Sequence, residues 1–212
     1  MVVGTQHFTS CGSIELITGP MFSGKTEELL RRIRRAQIAR QKVQIFKPGL
    51  DTRYDEKDVV SHSSQSSPAT PVNSAFDILR LLLDTTRVVA IDEVQFFDER
   101  ILMVVSKLAR RGLRVICAGL DLDFRGKPFG PIPELLALAD SVTKIQAICT
   151  VCGMPATKTY RKTDSTDRVL IGELDVYEAR CRLHHDYEEE EENKEQLPLD
   201  IEFPEEGEGL SQ

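Results

Sequence analysis

The sequence has no stretch of about 18 consecutive apolar residues, the length a helix needs to span a membrane. Residues 1–12 lack the basic region and apolar run of a secretory signal, and no internal repeat is present. Hydrophobic residues at 41% and charged residues at 29% of 212 positions exclude a collagen-like, a wholly disordered and a disulfide-scaffold protein. These absences predict a soluble cytoplasmic protein with one domain and a small appendage.

The net charge of −7 is unevenly distributed along the chain. The last 27 residues hold 12 acidic residues and one lysine, which leaves residues 1–185 with a net charge of +4. Such an acidic segment buries too little apolar surface to repay its ordering entropy, so we expect a disordered tail over residues 187–212. The mildly basic body suits an anionic small ligand at least as well as a nucleic acid.

Apolar runs alternate with helical patterns along the first two thirds of the chain. Strands are predicted at 14–18, 43–46, 87–91, 115–119 and 142–146, and helices at 25–40, 76–83, 100–111 and 133–138. Residues 55–75 are rich in serine, threonine and proline and predict a mobile loop. This alternation predicts a parallel α/β core over residues 1–147, followed by a smaller unit over 148–186.

Residues 19–26, GPMFSGKT, match the GxxxxGK[ST] pattern between a predicted strand and a predicted helix. In such a loop the backbone N–H groups face a phosphate at the positive end of the helix. Lys25 can reach the β- and γ-phosphates, and Thr26 can offer its hydroxyl to Mg²⁺. The sequence therefore predicts a phosphate-binding loop and a P-loop NTPase-like α/β fold.

Two acidic residues follow the third predicted strand, at the sheet edge where ligands of open α/β proteins bind. Side chains alternate along a strand, so we expect Asp92 and Glu93 to point differently and to have different roles. Asp92 suits the acid that organises Mg²⁺. Glu93 could accept a proton from an attacking hydroxyl or position a water.

Five cysteines in a chain without a secretion signal favour metal binding over disulfides. Cys149-x-x-Cys152 and Cys181-x-x-His184 form two pairs of ligands, which suit a closed structural Zn²⁺ site. His185 competes with His184 as the fourth ligand, and Cys117 is predicted to be a core thiol. The pairs close the ends of a long polar loop over 155–180, which we interpret as a lasso over a pocket or as a surface excursion.

The order of these motifs resembles that of the type II thymidine kinases, the thymidine-kinase-1-like deoxynucleoside kinases. The resemblance rests on GPMFSGKT, KPGLDTRY at 47–54, IDEVQFF at 91–97, GLDLDFRGKPFG at 119–130 and the four zinc ligands. It implies transfer of the γ-phosphoryl group of ATP to the 5′-hydroxyl of thymidine, with deoxyuridine as the usual second substrate. It also implies a homotetramer inhibited by thymidine triphosphate.

The resemblance also assigns residues by position. Glu93 resembles the catalytic base. The site for ATP and Mg²⁺ would comprise Gly19, Pro20, Met21, Phe22, Ser23, Gly24, Lys25, Thr26, Asp51, Thr52, Arg53, Asp92, Val94 and Gln95. The nucleoside would contact Phe124, Arg168, Val169, Leu170, Ile171, Gly172 and Tyr177, with Met21, Leu120 and Phe129 lining the pocket.

Two other functions remain compatible with parts of the sequence. A P-loop ATPase or GTPase switch would use Glu93 or Gln95 to orient water, although the guanine-reading NKxD element is absent. A zinc module that binds nucleic acid would use the segment Cys149–His184 and the four arginines at 31, 32, 34 and 35. This function would leave the phosphate loop unexplained.

Overall fold

The computed structural model describes residues 11–49, 58–60, 66–163 and 176–185, with backbone alone at 58–60 and 66–67. The predicted acidic tail lies outside the described residues. The described helices are α1 (Lys25–Ile38), α2 (Ala75–Arg80), α3 (Arg100–Arg110) and α4 (Ile132–Leu138), with short 3₁₀ turns at Val94–Phe96 and Arg182–His184. None of these helices combines the length and apolar character needed to cross a membrane.

Six parallel strands form the main sheet, in the order β5-β2-β6-β7-β1-β8. They are β1 (Ser13–Thr18), β2 (Val43–Pro48), β5 (Thr70–Val72), β6 (Val88–Ile91), β7 (Arg114–Gly119) and β8 (Ser141–Lys144). All predicted strands and helices of the core are present, with ends displaced by at most three residues. The predicted α/β fold, a parallel sheet flanked by helices, is therefore confirmed.

The core consists of two apolar layers, one on each face of the sheet. Leu16 belongs to the layer under α2, α3 and α4, and its neighbour Ile17 belongs to the layer under α1. This alternation follows from the period of two along a strand, and it explains why β6 is buried along its whole length. Cys117 lies fully buried in the first layer, where burial raises the pKa of its thiol to about 12, as expected of a core thiol.

The prediction of an irregular loop over 55–75 is wrong in the part that the structure describes. Thr70–Val72 pairs in parallel with β2 at the edge of the main sheet. Two further strands, β3 (Asp58–Val60) and β4 (Ser66–Pro68), pair with each other. The edge strand was not predicted because Pro71 interrupts the strand pattern in the sequence. Proline is nevertheless tolerated at a sheet edge, where its missing N–H donor is not needed.

The predicted loop over 155–180 also begins and ends in regular structure. Strands β9 (Ala147–Ile148) and β10 (Pro155–Ala156) pair antiparallel, as do β11 (Lys158–Arg161) and β12 (Tyr177–Arg180). The ends of the segment are therefore strands, and residues 164–175 between them lie outside the described part of the chain. We call the four strands and the 3₁₀ turn at Arg182–His184 the clip hairpins.

Glu15 joins three elements of the core through ion pairs. Its carboxylate accepts hydrogen bonds from Arg114 of β7 at 2.6 Å and from Arg32 of α1 at 2.7 Å. Burial alone would raise the pKa of Glu15, but the hydrogen bonds and charges of the two arginines outweigh burial and hold this pKa below its ordinary value of 4.5. The ionised carboxylate therefore stabilises the folded state.

Replacing Glu15 by Gln should lower the free energy of unfolding by about 1–3 kcal/mol at pH 7, because Arg114 and Arg32 each lose a carboxylate partner, although Arg32 keeps its ion pair with Glu28. The contribution is complete above pH 4.5, the ordinary value, and is lost as the pH falls through the lower native pKa. The difference between the two proteins in urea unfolding should therefore shrink in acid. The exposed Glu134→Gln is the control, and a difference that grew as the pH fell would contradict this account.

Candidate active site and metal centre

The predicted phosphate loop connects the end of β1 to the first turn of α1. Gly19 and Gly24 have φ angles of 143° and 85°, and a Cβ on Gly19 would lie 2.1 Å from the Ile145 carbonyl oxygen. Glycine is therefore required at position 19 both by its φ and by the close approach of β8's end. The loop ends at the N-terminus of a 14-residue helix, where backbone N–H groups favour an anion.

The Lys25 side chain bends back over this loop. Its Nζ donates a hydrogen bond to the carbonyl of Pro20 at 2.7 Å, and the Ser23 hydroxyl donates to the same oxygen at 2.8 Å. Burial lowers the pKa of Lys25, while the carboxylates of Glu93 and Asp92 act in the opposite direction. The loop thus holds a cation close to the acid pair, in an arrangement suited to a polyphosphate.

The acid pair lies just beyond β6, which ends at Ile91. Asp92 is buried, and burial together with the negative charge of Glu93 raises the pKa of Asp92 to about 7. A divalent cation beside such a carboxyl would favour its ionised form. The chemistry of Asp92 therefore fits a residue that helps to hold Mg²⁺.

Glu93 adopts the left-handed backbone conformation, with φ at 51°, which few non-glycine residues adopt. The chain therefore turns sharply between Asp92 and Glu93. Neither residue belongs to β6, so the alternation along a strand does not set the directions of their side chains. Such local strain concentrates at functional sites, since the surrounding structure must hold it in place.

Gln95 provides that support. Its buried side chain donates from Nε2 to Glu93 Oε2 at 2.5 Å and accepts the Leu120 N–H at 3.1 Å. Glycine is required at two positions around it, because a Cβ on Gly119 would lie 2.6 Å from Gln95 Oε1 and one on Gly130 would lie 2.2 Å from the Gln95 carbonyl oxygen. Gln95 thus ties the acid pair to the end of β7.

Val94 was expected beside the nucleotide, but its side chain is fully buried in the apolar layer under α3. The predicted residues Asp51, Thr52 and Arg53 lie outside the described residues, and so do Arg168, Val169, Leu170, Ile171 and Gly172. Their assigned contacts stay predictions.

Two aromatic residues assigned to the nucleoside, Phe124 and Tyr177, are buried. Phe124 and Tyr177 are brought together by Arg161, whose guanidinium lies 3.6 Å from the Phe124 ring centre and donates to the Tyr177 hydroxyl at 2.8 Å. Thr159 on the same strand accepts the Met21 N–H at 3.0 Å through its hydroxyl. The clip hairpins therefore contact both the phosphate loop and Phe124.

Phe129 packs edge-on against Phe96, with ring centres 5.5 Å apart.

Asp121 was not singled out from the sequence, yet it is buried after β7 and forms an ion pair with Lys144 at 2.6 Å. Its position inside the GLDLDFRGKPFG segment was the available signal, but spacing alone could not show that both acids of the segment, Asp121 and Asp123, are buried.

The four predicted metal ligands converge. The ligand atoms of Cys149, Cys152, Cys181 and His184 all lie within 4.8 Å of one another. The Cys152 and Cys181 sulfurs are 3.8 Å apart, and a tetrahedral Zn²⁺ with Zn–S bonds of about 2.3 Å would separate its sulfurs by roughly this distance. Burial opposes ionisation of Cys149, but the backbone N–H groups of Cys181, Cys152 and Val151 lower its pKa to about 6, which favours a thiolate ligand.

The structure distinguishes between the two neighbouring histidines. His184 Nδ1 lies 3.2 Å from the Cys181 sulfur, inside the cluster. His185 Nε2 lies 3.0 Å from the Phe124 carbonyl oxygen and 3.3 Å from that of Thr159. Both neighbours of Nε2 are acceptors, so this nitrogen donates a hydrogen bond, and His184 is the histidine of the candidate ligand set.

A protein-family model described as thymidine kinase matches residues 12–185 of the chain. The matched range includes the predicted phosphate loop, the acid pair and all four residues of the cysteine and histidine cluster.

Replacing Cys152 by Ser should reduce the bound zinc well below one ion per chain, because a structural site needs its complete ligand set. We also expect the free energy of unfolding to fall by about 2 kcal/mol or more, which corresponds to a decrease of ~4–8 °C in the melting temperature. Elemental analysis and thermal unfolding measure both effects. Cys11→Ser removes an exposed cysteine outside the cluster and should leave zinc and stability unchanged. Full zinc content in the Cys152 variant would refute the site.

Proposed function

The chain belongs to the thymidine kinase family, and we propose that it transfers the γ-phosphoryl group of ATP to the 5′-hydroxyl of thymidine. The products are thymidine monophosphate and ADP, a step of nucleotide salvage for DNA synthesis, with deoxyuridine as a second substrate. The observation that carries this proposal is the proximity of Lys25 in the phosphate loop to an acid pair braced by Gln95.

The phosphate loop, Gly19–Thr26, would bind the donor. Its N–H groups and Lys25 would contact the β- and γ-phosphates, and this cation would stabilise the charge that spreads over the transferred group. Thr26 and Asp92 would hold Mg²⁺, and the buried position of Asp92 directly after β6 supports this assignment. The ion, when bound, neutralises charge on the phosphate oxygens.

Glu93 would accept the proton of the 5′-hydroxyl as the new P–O bond forms. A primary hydroxyl is a weak nucleophile, so a positioned carboxylate makes its attack easier. The hydrogen bond from Gln95 would hold one carboxylate oxygen while the other faces the substrate. The strained backbone at Glu93 supports this role, because the surrounding contacts hold the residue in an uncommon conformation.

The nucleoside would bind between Phe124, Tyr177 and the segment Arg168–Gly172, with Met21, Leu120 and Phe129 along the pocket. Backbone groups of that segment would pair with the thymine edge, where a misfitting base leaves polar groups unpaired. Asp51, Thr52 and Arg53 would approach the phosphates and the reacting hydroxyl. These assignments rest on the family resemblance and on the burial of Phe124 and Tyr177, which contact Arg161 on the same strand as Thr159, the partner of Met21.

A structural zinc ion would pin the clip hairpins, and the chain would divide into a kinase core over 1–147, a zinc-clipped lasso over 148–186 and an acidic tail over 187–212. The ligand cluster supports the role of the ion. A homotetramer and feedback inhibition by thymidine triphosphate are proposed from the resemblance alone.

Glu93→Gln should lower kcat for thymidine phosphorylation on the order of 10²–10⁴-fold, because the amide cannot accept the proton. ATP binding, measured by calorimetry, should survive, since the phosphate loop is unchanged. The exposed Glu99→Gln is the matched control and should turn over normally. Full turnover by the Glu93 variant would remove this residue as the base.

Lys25→Ala should also reduce kcat, by on the order of 10²–10³-fold, because the cation that balances the developing charge is lost. Unlike the Glu93 variant, it should also weaken ATP binding. Steady-state kinetics with ATP and thymidine varied separately would measure both effects, with the exposed Lys107→Ala as control. Kinetics equal to those of the unchanged protein would argue against the assignment of the phosphate loop.

A further inference from the structure

Strand β11 contains a buried arginine that the proposed reaction does not use. Burial alternates along this strand, so that Thr159 and Arg161 face inward, and Arg161 is only 2% exposed. A guanidinium so deeply buried is costly unless its surroundings compensate for the lost water. The compensation includes stacking on Phe124 at 3.6 Å, the hydrogen bond to Tyr177 at 2.8 Å and a more distant contact with the Tyr177 ring at 5.2 Å.

A residue directly after the clip hairpins holds the backbone of the same phenylalanine. His185 directly follows the last metal ligand and donates from Nε2 to the Phe124 carbonyl at 3.0 Å. The same N–H lies 3.3 Å from the Thr159 carbonyl, so the imidazole bridges the loop after β7 and strand β11. Phe124 is therefore fixed at its ring by Arg161 and at its carbonyl by His185.

We propose that Arg161 and His185 are positioning residues that set the affinity for the nucleoside base by fixing the ring of Phe124. This inference rests on the proposed function, in which Phe124 contacts thymine. A planar base gains most from an aromatic ring held at one position and angle, and loosening the support of such a group by even about 1 Å weakens the site. Arg161 is well suited to this task, since its flat guanidinium stacks on a ring face as a lysine ammonium cannot.

The placement of these contacts predicts which kinetic constant changes. Arg161 and His185 contact Phe124, Tyr177 and Thr159, whereas Lys25 and the acid pair lie on the other elements of the site. Loss of either residue should therefore raise the KM for thymidine while the KM for ATP and the zinc content stay unchanged. If either residue had a purely structural role in the clip hairpins, its loss would instead lower the zinc content and raise the KM for both substrates alike.

The test is a double-mutant cycle on the full chain, with Arg161→Gln and Phe124→Leu made singly and together. Arg161→Gln should raise the KM for thymidine roughly tenfold, the order of effect of a desolvated cation–π contact. Arg161→Lys should recover only part of this loss. In the Phe124→Leu background the same change should alter the KM less than about twofold, because the ring on which Arg161 acts is absent. The exposed Arg110→Gln is the matched control.

His185 gives an independent readout if Arg161→Gln does not fold. His185→Leu should raise the KM for thymidine, whereas His185→Gln, whose amide can still donate to the carbonyls, should restore it. Zinc is measured in each variant. An unchanged KM in both Arg161→Gln and His185→Leu, an equal rise in the KM for ATP, or the same effect of Arg161→Gln with and without Phe124 would overturn the inference. If the unchanged protein phosphorylates no thymidine, the proposed function fails as well.

Discussion

Parallel pairing of β1, β6 and β7 brings the phosphate loop, the acid pair and the Gly119–Gly130 segment to one edge of the sheet. Because all three strands run in one direction, the residues that follow them meet although they are far apart in the chain. The two apolar layers keep this edge in place, and α1 directs its N-terminus at the phosphate loop. The chemistry of the site therefore depends first on strand register.

Register alone does not orient the functional groups. Glu93 is held by Gln95, which in turn requires glycine at positions 119 and 130 to approach the end of β7. The hydroxyl of Thr159 in β11 accepts a hydrogen bond from the backbone N–H of Met21. The phosphate loop and the acid pair are thus each braced by a neighbouring segment, which suits a site whose catalysis depends on fixed positions more than on covalent chemistry.

The clip hairpins connect metal binding with the rest of the site. Cys181 and His184 belong to the same short segment as His185, so the residues that would bind zinc lie next to one that contacts Phe124. A closed four-ligand site offers no position for a substrate, and its effect on the reaction must pass through such contacts.

Local patterns were sufficient to predict the features that depend on local sequence. The glycine spacing between a strand and a helix predicted the loop between β1 and α1, and two pairs of candidate ligands predicted the cysteine and histidine cluster. The roles of Gln95, Arg161 and His185 could not be predicted in this way, because their contacts join segments without shared periodicity. The contact between Met21 and Thr159 spans 138 residues. Val94 shows the converse, since its place in a motif concealed that its side chain belongs to the core.

The release of ADP from Mg·ATP, measured with and without thymidine and with deoxycytidine and guanosine as controls, tests the proposed kinase activity. We predict that ADP release depends on thymidine and that one thymidine monophosphate forms for each ADP. Release of ADP at the same rate without any nucleoside would contradict this prediction, and would identify the phosphate loop and acid pair as parts of an ATPase.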